Sequence, residues 1–215
     1  MKHELIIFDL DGTILDTLDD LYFAVNYSLK KNGLPQRSKD DVRKFVGNGI
    51  RLLIERAVPS NTDISVVDRV FADFKSYYSE HSMDNTAPYD GIIKMLDTLR
   101  NSGIKTAVVS NKADFAVQKL VSIFFNGKFD FVLGEKESMN KKPAPDMVFS
   151  VLRALGIESE KAVYVGDSEV DIDTAKNSNI DLVIVDWGFR DSEYLIEYGA
   201  EKTVSSVESL LCELL

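Results

Sequence analysis

Four short stretches of this chain place oxygen- and nitrogen-bearing side chains where apolar runs end. In Phe8-Asp9-Leu10-Asp11-Gly12-Thr13, two carboxylates stand two residues apart after the apolar run Leu5–Phe8. On a strand they point the same way, because side chains alternate. Two like charges that close call for a cation or a shared proton. In Val163-Tyr164-Val165-Gly166-Asp167-Ser168-Glu169-Val170-Asp171, a second apolar run ends at Asp167. Val108-Val109-Ser110-Asn111-Lys112 runs from a strand pattern into Ser-Asn. A hydroxyl and backbone N–H groups at a helix start there can bind an anion. Lys141-Lys142-Pro143 offers a lysine that can hold a phosphate or balance the carboxylates.

Each stretch alone has an ordinary reading. These are an Asp-Gly turn, acidic enrichment in a first helical turn, N-capping by Ser or Asn, and a solvated lysine pair. Their joint placement carries the weight. All sit at the carboxyl ends of expected strands, the edge where open α/β sheets bind ligands. Oxygen ligands from Asp9, Asp167 and a backbone carbonyl suit Mg²⁺, which prefers octahedral all-oxygen coordination with retained waters. The two histidines, His3 and His81, and the one cysteine, Cys212, make no zinc cluster.

The elements that must position these residues follow from periodicity. Short apolar runs at Leu5–Phe8, Thr106–Val109, Phe129–Leu133, Ala162–Val165 and Leu182–Val185 read as buried parallel strands. Between them lie helical stripes, such as Ile92, Ile93, Leu96 and Leu99 before Gly103, and Met147, Val148, Val151 and Leu152 before Gly156. The alternation predicts an α/β fold with a doubly wound, Rossmann-like parallel sheet. One span breaks it. Residues 16–83 read as wholly helical, with Thr17 and Ser38 as expected caps. We therefore expect a helical cap domain over 16–83, inserted into a core of 1–15 and 84–215. Hinges near Leu15–Thr17 and Asp84–Pro88 would suit a lid.

Composition narrows the function. The chain has 215 residues and a formal net charge of −10, which argues against nucleic acid and anionic membranes as partners. A small anionic substrate remains compatible. The N-terminal apolar run is too short for a signal core or a membrane span, and a single cysteine fits a reducing compartment. The expectation is a cytoplasmic protein, a monomer or weak homodimer.

The four motifs, in this order, resemble the haloacid dehalogenase superfamily in its phosphatase branch, over nearly the whole chain. Phe45-Val46-Gly47-Asn48-Gly49 and Trp187-Gly188-Phe189-Arg190 resemble stretches of its phosphoglycolate phosphatases. The resemblance implies that Asp9 attacks phosphorus and Asp11 serves as acid, then base. It implies Mg²⁺ held by Asp9, the Asp11 carbonyl and Asp167, with Asp171 behind. Phosphate would be bound by Ser110, Asn111, Lys142, Gly12 and Thr13. Arg43, Asn48 and Arg51 are candidates to face the leaving group. Asp11 favours phosphate esters over carbon–halogen bonds, because the family's dehalogenases lack this acid. The alternatives are a β-phosphoglucomutase-like sugar phosphomutase, a pyrophosphatase or nucleotidase of the same superfamily, and a non-catalytic binding module on this fold.

Overall fold

The computed structural model describes residues 3–215. The chain divides into two compact units. One runs up to Leu15 and resumes as Pro88–Leu215; the other is Asp16–Ala87.

The second unit is helical: α1 (Leu18–Lys31), α2 (Lys39–Phe45), α3 (Ile50–Ala57) and α4 (Ile64–His81). Leu21, Val25 and Leu29 of α1 and Val67, Val70 and Phe74 of α4 are buried at helical spacing. Ser38 caps α2 as expected, accepting from the Asp41 N–H while Asp41 reaches back to the Ser38 N–H. Thr17 does not cap α1 through its side chain; the Leu18 N–H goes to Asp16 Oδ1 instead. The buried carboxylate of Asp20 ties the two ends of this unit together. It accepts from Asn85 N and Nδ2 and from Thr86 N and Oγ1, at 2.8–3.0 Å.

The first unit is built on β1 (Leu5–Phe8), β4 (Lys105–Ala113), β5 (Phe131–Glu135), β6 (Ala162–Gly166), β7 (Asp181–Val185) and β8 (Thr203–Val204). Two short strands, β2 (Leu15–Asp16) and β3 (Ala87–Pro88), pair separately. The main sheet is parallel in the order β5-β4-β1-β6-β7-β8. It is doubly wound, and the order reverses at β1, where such sheets bind ligands. Leu5, Ile6, Ile7 and Phe8 are all fully buried, as a central parallel strand requires. Each contributes roughly 1.5–3 kcal/mol of apolar burial.

Helices α5 (Ile92–Asn101), α6 (Asp114–Phe124), α7 (Asp146–Leu155), α8 (Glu169–Ser178), α9 (Ser192–Tyr198) and α10 (Val207–Leu214) complete this unit. Leu5 and Ile7 pack with Met147, Val148 and Val151 of α7 and Ala175 of α8.

The helical unit runs to Ala87 rather than residue 83, and the bounds of β5 and β4 also differ from the sequence expectation. β5 begins at Phe131 rather than Phe129, because Asp130 folds its carboxylate onto the Thr106 N–H and Phe129 packs edge-on against Phe8. β4 runs past Val109 to Ala113, with its register shifting on the way. Ser110 and Asn111 therefore lie within a strand, not at a helix start, and α6 begins only at Asp114.

Candidate active site

Three adjacent parallel strands end at one edge, and each delivers a polar side chain there. Asp9 is the first residue beyond β1, and its N–H still follows the ladder, donating to the Val165 carbonyl at 2.8 Å. Asp167 follows the last residue of β6. Ser110 and Asn111 come from the end of β4. Lys142, from the connection between β5 and α7, joins them. Its Nζ lies 2.9 Å from Asp9 Oδ1, 2.8 Å from Asp171 Oδ1 and 2.9 Å from the Tyr164 hydroxyl. That uses all three ammonium hydrogens. The Tyr164 hydroxyl donates onward to the Val109 carbonyl at 3.1 Å.

Asp171, in the first turn of α8, is saturated. Its Oδ2 accepts from Ser168 Oγ at 2.7 Å, Ser168 N at 3.1 Å and Asp167 N at 3.2 Å, while Oδ1 faces Lys142. Gly166 makes this close approach feasible, since a Cβ there would strike the Asp171 carboxyl. Asp167 accepts from Thr13 Oγ1 at 3.0 Å and from the Phe189 N–H at 2.7 Å.

Burial dominates the electrostatics. It pushes the Asp9 carboxyl up to about 7; Lys142 pulls it back and Asp171 raises it further. Burial, then the charges of Asp171 and Asp9, hold Asp167 well above the usual carboxylate range. Burial opposes the Lys142 charge, but Asp171 and Asp9 outweigh it and raise Lys142 well above the ordinary lysine value.

Asp11 lies beyond the reach of strand alternation. After Asp9 the chain turns, with Gly12 at φ 85° and its N–H on the Leu15 carbonyl. The Asp11 carboxylate instead meets Lys112 Nζ at 2.6 Å. Four carboxylates, Asp9, Asp11, Asp167 and Asp171, thus face two ammonium groups, Lys112 and Lys142, a deficit of 4 − 2 = 2 positive charges. Carboxylate oxygens of Asp9, Asp167 and Asp171 lie within 4.8 Å of one another. The excess charge and the all-oxygen donor set fit a divalent hard cation. With Asp171 committed to its own donors, Asp9 and Asp167 are the carboxylates left for it.

A family model for haloacid dehalogenase-like hydrolases matches residues 6–185. The chain belongs to this family. A curated relative from Aquifex aeolicus, named a phosphoglycolate phosphatase, is 36% identical over 185 residues, covering 86% of this chain and 85% of that one. Another of the same name, from Mesorhizobium japonicum, is 32% identical and covers 100% of this chain and 96% of its own. A crystal structure of a candidate phosphoglycolate phosphatase from Lactobacillus delbrueckii subsp. bulgaricus superposes with a TM-score of 0.95 at 39% identity. It covers 100% of this chain and 99% of that one.

Within this haloacid dehalogenase-like hydrolase, the remaining expected residues are placed unevenly. Thr13 spends its hydroxyl proton on Asp167, and Gly12 packs where a Cβ would meet the same carboxylate. Ser110 Oγ accepts from the Lys112 N–H at 3.2 Å, which leaves its own hydrogen to donate. Asn111 Nδ2 donates to the Lys142 carbonyl at 3.0 Å and so helps fix that lysine's backbone. On the helical unit, Arg51 is met by Glu55 at 2.7 Å and Asp68 at 2.6 Å. Asn48 accepts from Arg56 at 2.7 Å. Arg43 is half-buried on α2.

Lys112, Tyr164 and Arg56 were not singled out by the sequence reading. Lys112 directly follows Ser110-Asn111, which was the available signal; Tyr164 looks like any strand aromatic. Arg190 grips Glu169 with two bonds, at 2.7 and 3.0 Å, and Trp187 Nε1 donates to the Thr13 carbonyl at 3.1 Å. These contacts anchor the Trp187–Arg190 stretch beside Asp167.

Proposed function

We propose that this chain hydrolyses a small phosphate monoester, 2-phosphoglycolate or a near relative, through a phosphorylated Asp9. The observation that carries the reading is Asp9 itself: a buried carboxylate at the central strand's end, fixed by Lys142 at 2.9 Å. The names of the curated relatives support the substrate class.

The chain's residues divide the work. An Asp9 oxygen forms a bond to phosphorus, and the ester P–O bond breaks with its electron pair on the leaving oxygen. Asp11 gives that oxygen a proton. Asp11 then takes a proton from water, whose oxygen attacks phosphorus and releases Asp9 with the P–O(Asp9) electron pair. Lys142, held by Asp171 and Tyr164, keeps Asp9 in place and offsets its charge. The Ser110 hydroxyl and neighbouring amides donate to the phosphoryl oxygens. Mg²⁺ held by Asp9, the Asp11 carbonyl and Asp167 would supply the charge neutralisation that lets a carboxylate approach a phosphate dianion. We assign residues 16–87 the part of a cap that restricts the leaving group to small molecules.

Phosphate release tests this. The panel is 2-phosphoglycolate, sugar and nucleoside monophosphates, pyrophosphate and β-glucose 1-phosphate, each with and without Mg²⁺. Metal-dependent preference for 2-phosphoglycolate, lost in Asp9→Asn with the fold intact, is expected. Isomerisation of the sugar phosphate with little phosphate release would replace it with the phosphomutase alternative. No turnover of any ester would reject it.

A further inference from the structure

Tyr164, at the centre of β6, is fully buried in the cluster that holds Leu5, Ile7, Ala107 and Val109. A phenylalanine ring would fill that volume equally well. The hydroxyl adds something further. It accepts from Lys142 Nζ at 2.9 Å and donates to the Val109 carbonyl at 3.1 Å. Both directions are forced, because an ammonium only donates and a carbonyl only accepts. Resting on the reading of Asp9 as the phosphorylated residue, we propose that Tyr164 is a positioning residue for phosphoryl transfer, its hydroxyl setting Ser110 in register with the Lys142–Asp9 pair.

The sheet shows why such a tie is needed. β6 and β4 are not neighbours; β1 lies between them. The pairing of β1 with β4 ends at Phe8 and Val108, and Val109 is the next residue. On its other side, the pairing of β4 with β5 shifts register between Val109 and Ala113. Ser110 therefore sits where regular pairing is interrupted on both sides. Tyr164 reaches across β1 and holds the chain at that point. A peptide group is planar, so fixing the Val109 carbonyl fixes the plane from which Ser110 leaves. The same phenol oxygen holds Lys142, whose Nζ is 2.9 Å from Asp9. One atom thus sets the spacing between a phosphate donor on β4 and the carboxylate that follows β1. Asp171 holds Lys142 from the side of α8, where its other partners are Asp167 and Ser168, so its hydrogen bonds do not reach β4.

The test measures kcat and KM for the most readily hydrolysed ester of the panel above. The proteins are wild type, Tyr164→Phe, Ser110→Ala and the double variant, each also followed by urea unfolding. Tyr164→Phe should lower kcat roughly tenfold to a hundredfold and leave KM within about twofold. Ser110→Ala should cost much less in the Tyr164→Phe background than in wild type, because the hydroxyl it removes is already misplaced. Losses that simply multiply would overturn the proposal and leave Tyr164 as a support for Lys142 alone. A Tyr164→Phe protein that is less stable but turns over at the wild-type kcat would overturn it too, as would a loss confined to KM. Tyr164→Met, also without the hydroxyl, stands in if the Phe variant fails to fold. In each of these cases the phosphatase reading survives. A wild type that hydrolyses no ester would reject that reading and this one together.

Discussion

Lys142 spends its three N–H bonds on Asp9, Asp171 and Tyr164, joining three groups through one ammonium. Replacing it with Met would leave the fully buried Asp171 without its counter-ion. The expected cost is about 3–5 kcal/mol in urea unfolding, with phosphate release abolished. The carboxylate it restrains carries a second expectation. With its folded value raised to about 7 from 3.8, Asp9 keeps a proton across that window that the unfolded chain has lost. Stability of the cation-free protein therefore falls as pH rises from about 4 to about 7. A divalent cation competes with that proton. The thermal shift produced by Mg²⁺ should accordingly grow between pH 6 and pH 8, and calorimetric titration in two buffers should register proton release. A shift independent of pH would contradict the assignment of Asp9 as a ligand.

Elements differ in how legibly the sequence writes them. β1, β6 and β7 were readable because buried parallel strands are continuous apolar runs, and after β1 and β6 the next polar residue, Asp9 or Asp167, marks the site edge. The end of β4 was not readable: Ser110 and Asn111 suggest a cap, and only pairing with β5 as far as Glu135 keeps them in a strand. β8, two residues long, has too little pattern to detect. The carboxylates and Lys142 were legible through their spacing. The Lys112–Asp11 pair was not, because its members lie 101 positions apart. Asp20 was equally hidden, since a buried acid in a first helical turn looks like an exposed one. Its role gives a prediction for the helical unit. Asp20→Ala strands several donors from Asn85 and Thr86, and should destabilise that unit by about 2–4 kcal/mol, seen as lost amide-exchange protection at 85 and 86. At the other unit, Gly188→Ala would drive a Cβ into the Asp167 carboxyl. It should weaken Mg²⁺ binding at least tenfold in a titration, whereas Gly33→Ala, whose Cβ meets nothing within 4 Å, should leave that affinity unchanged.

At the scale of the molecule, the two units carry separate internal supports, and perturbations should report separately. Mg²⁺ should raise the unfolding temperature of the α/β unit, and Asp20→Ala should lower that of the helical unit, when each is followed by exchange of its own amides. No helix among the described residues is long and apolar enough to cross a membrane. The strand order has a further consequence for how the protein comes into being. β1 is the first strand made, but its partners β4 and β6 begin at residues 105 and 162. The contacts that hold Asp167 and Thr13 come last, from Phe189 and Trp187. During translation from the N-terminus the helical unit is complete while β1 still has nothing to pair with. A nascent chain shorter than about 190 residues lacks the Trp187 and Phe189 contacts to Thr13 and Asp167. The final contacts that hold Asp167 and Thr13 thus wait until synthesis is nearly finished, long after the helical unit is whole.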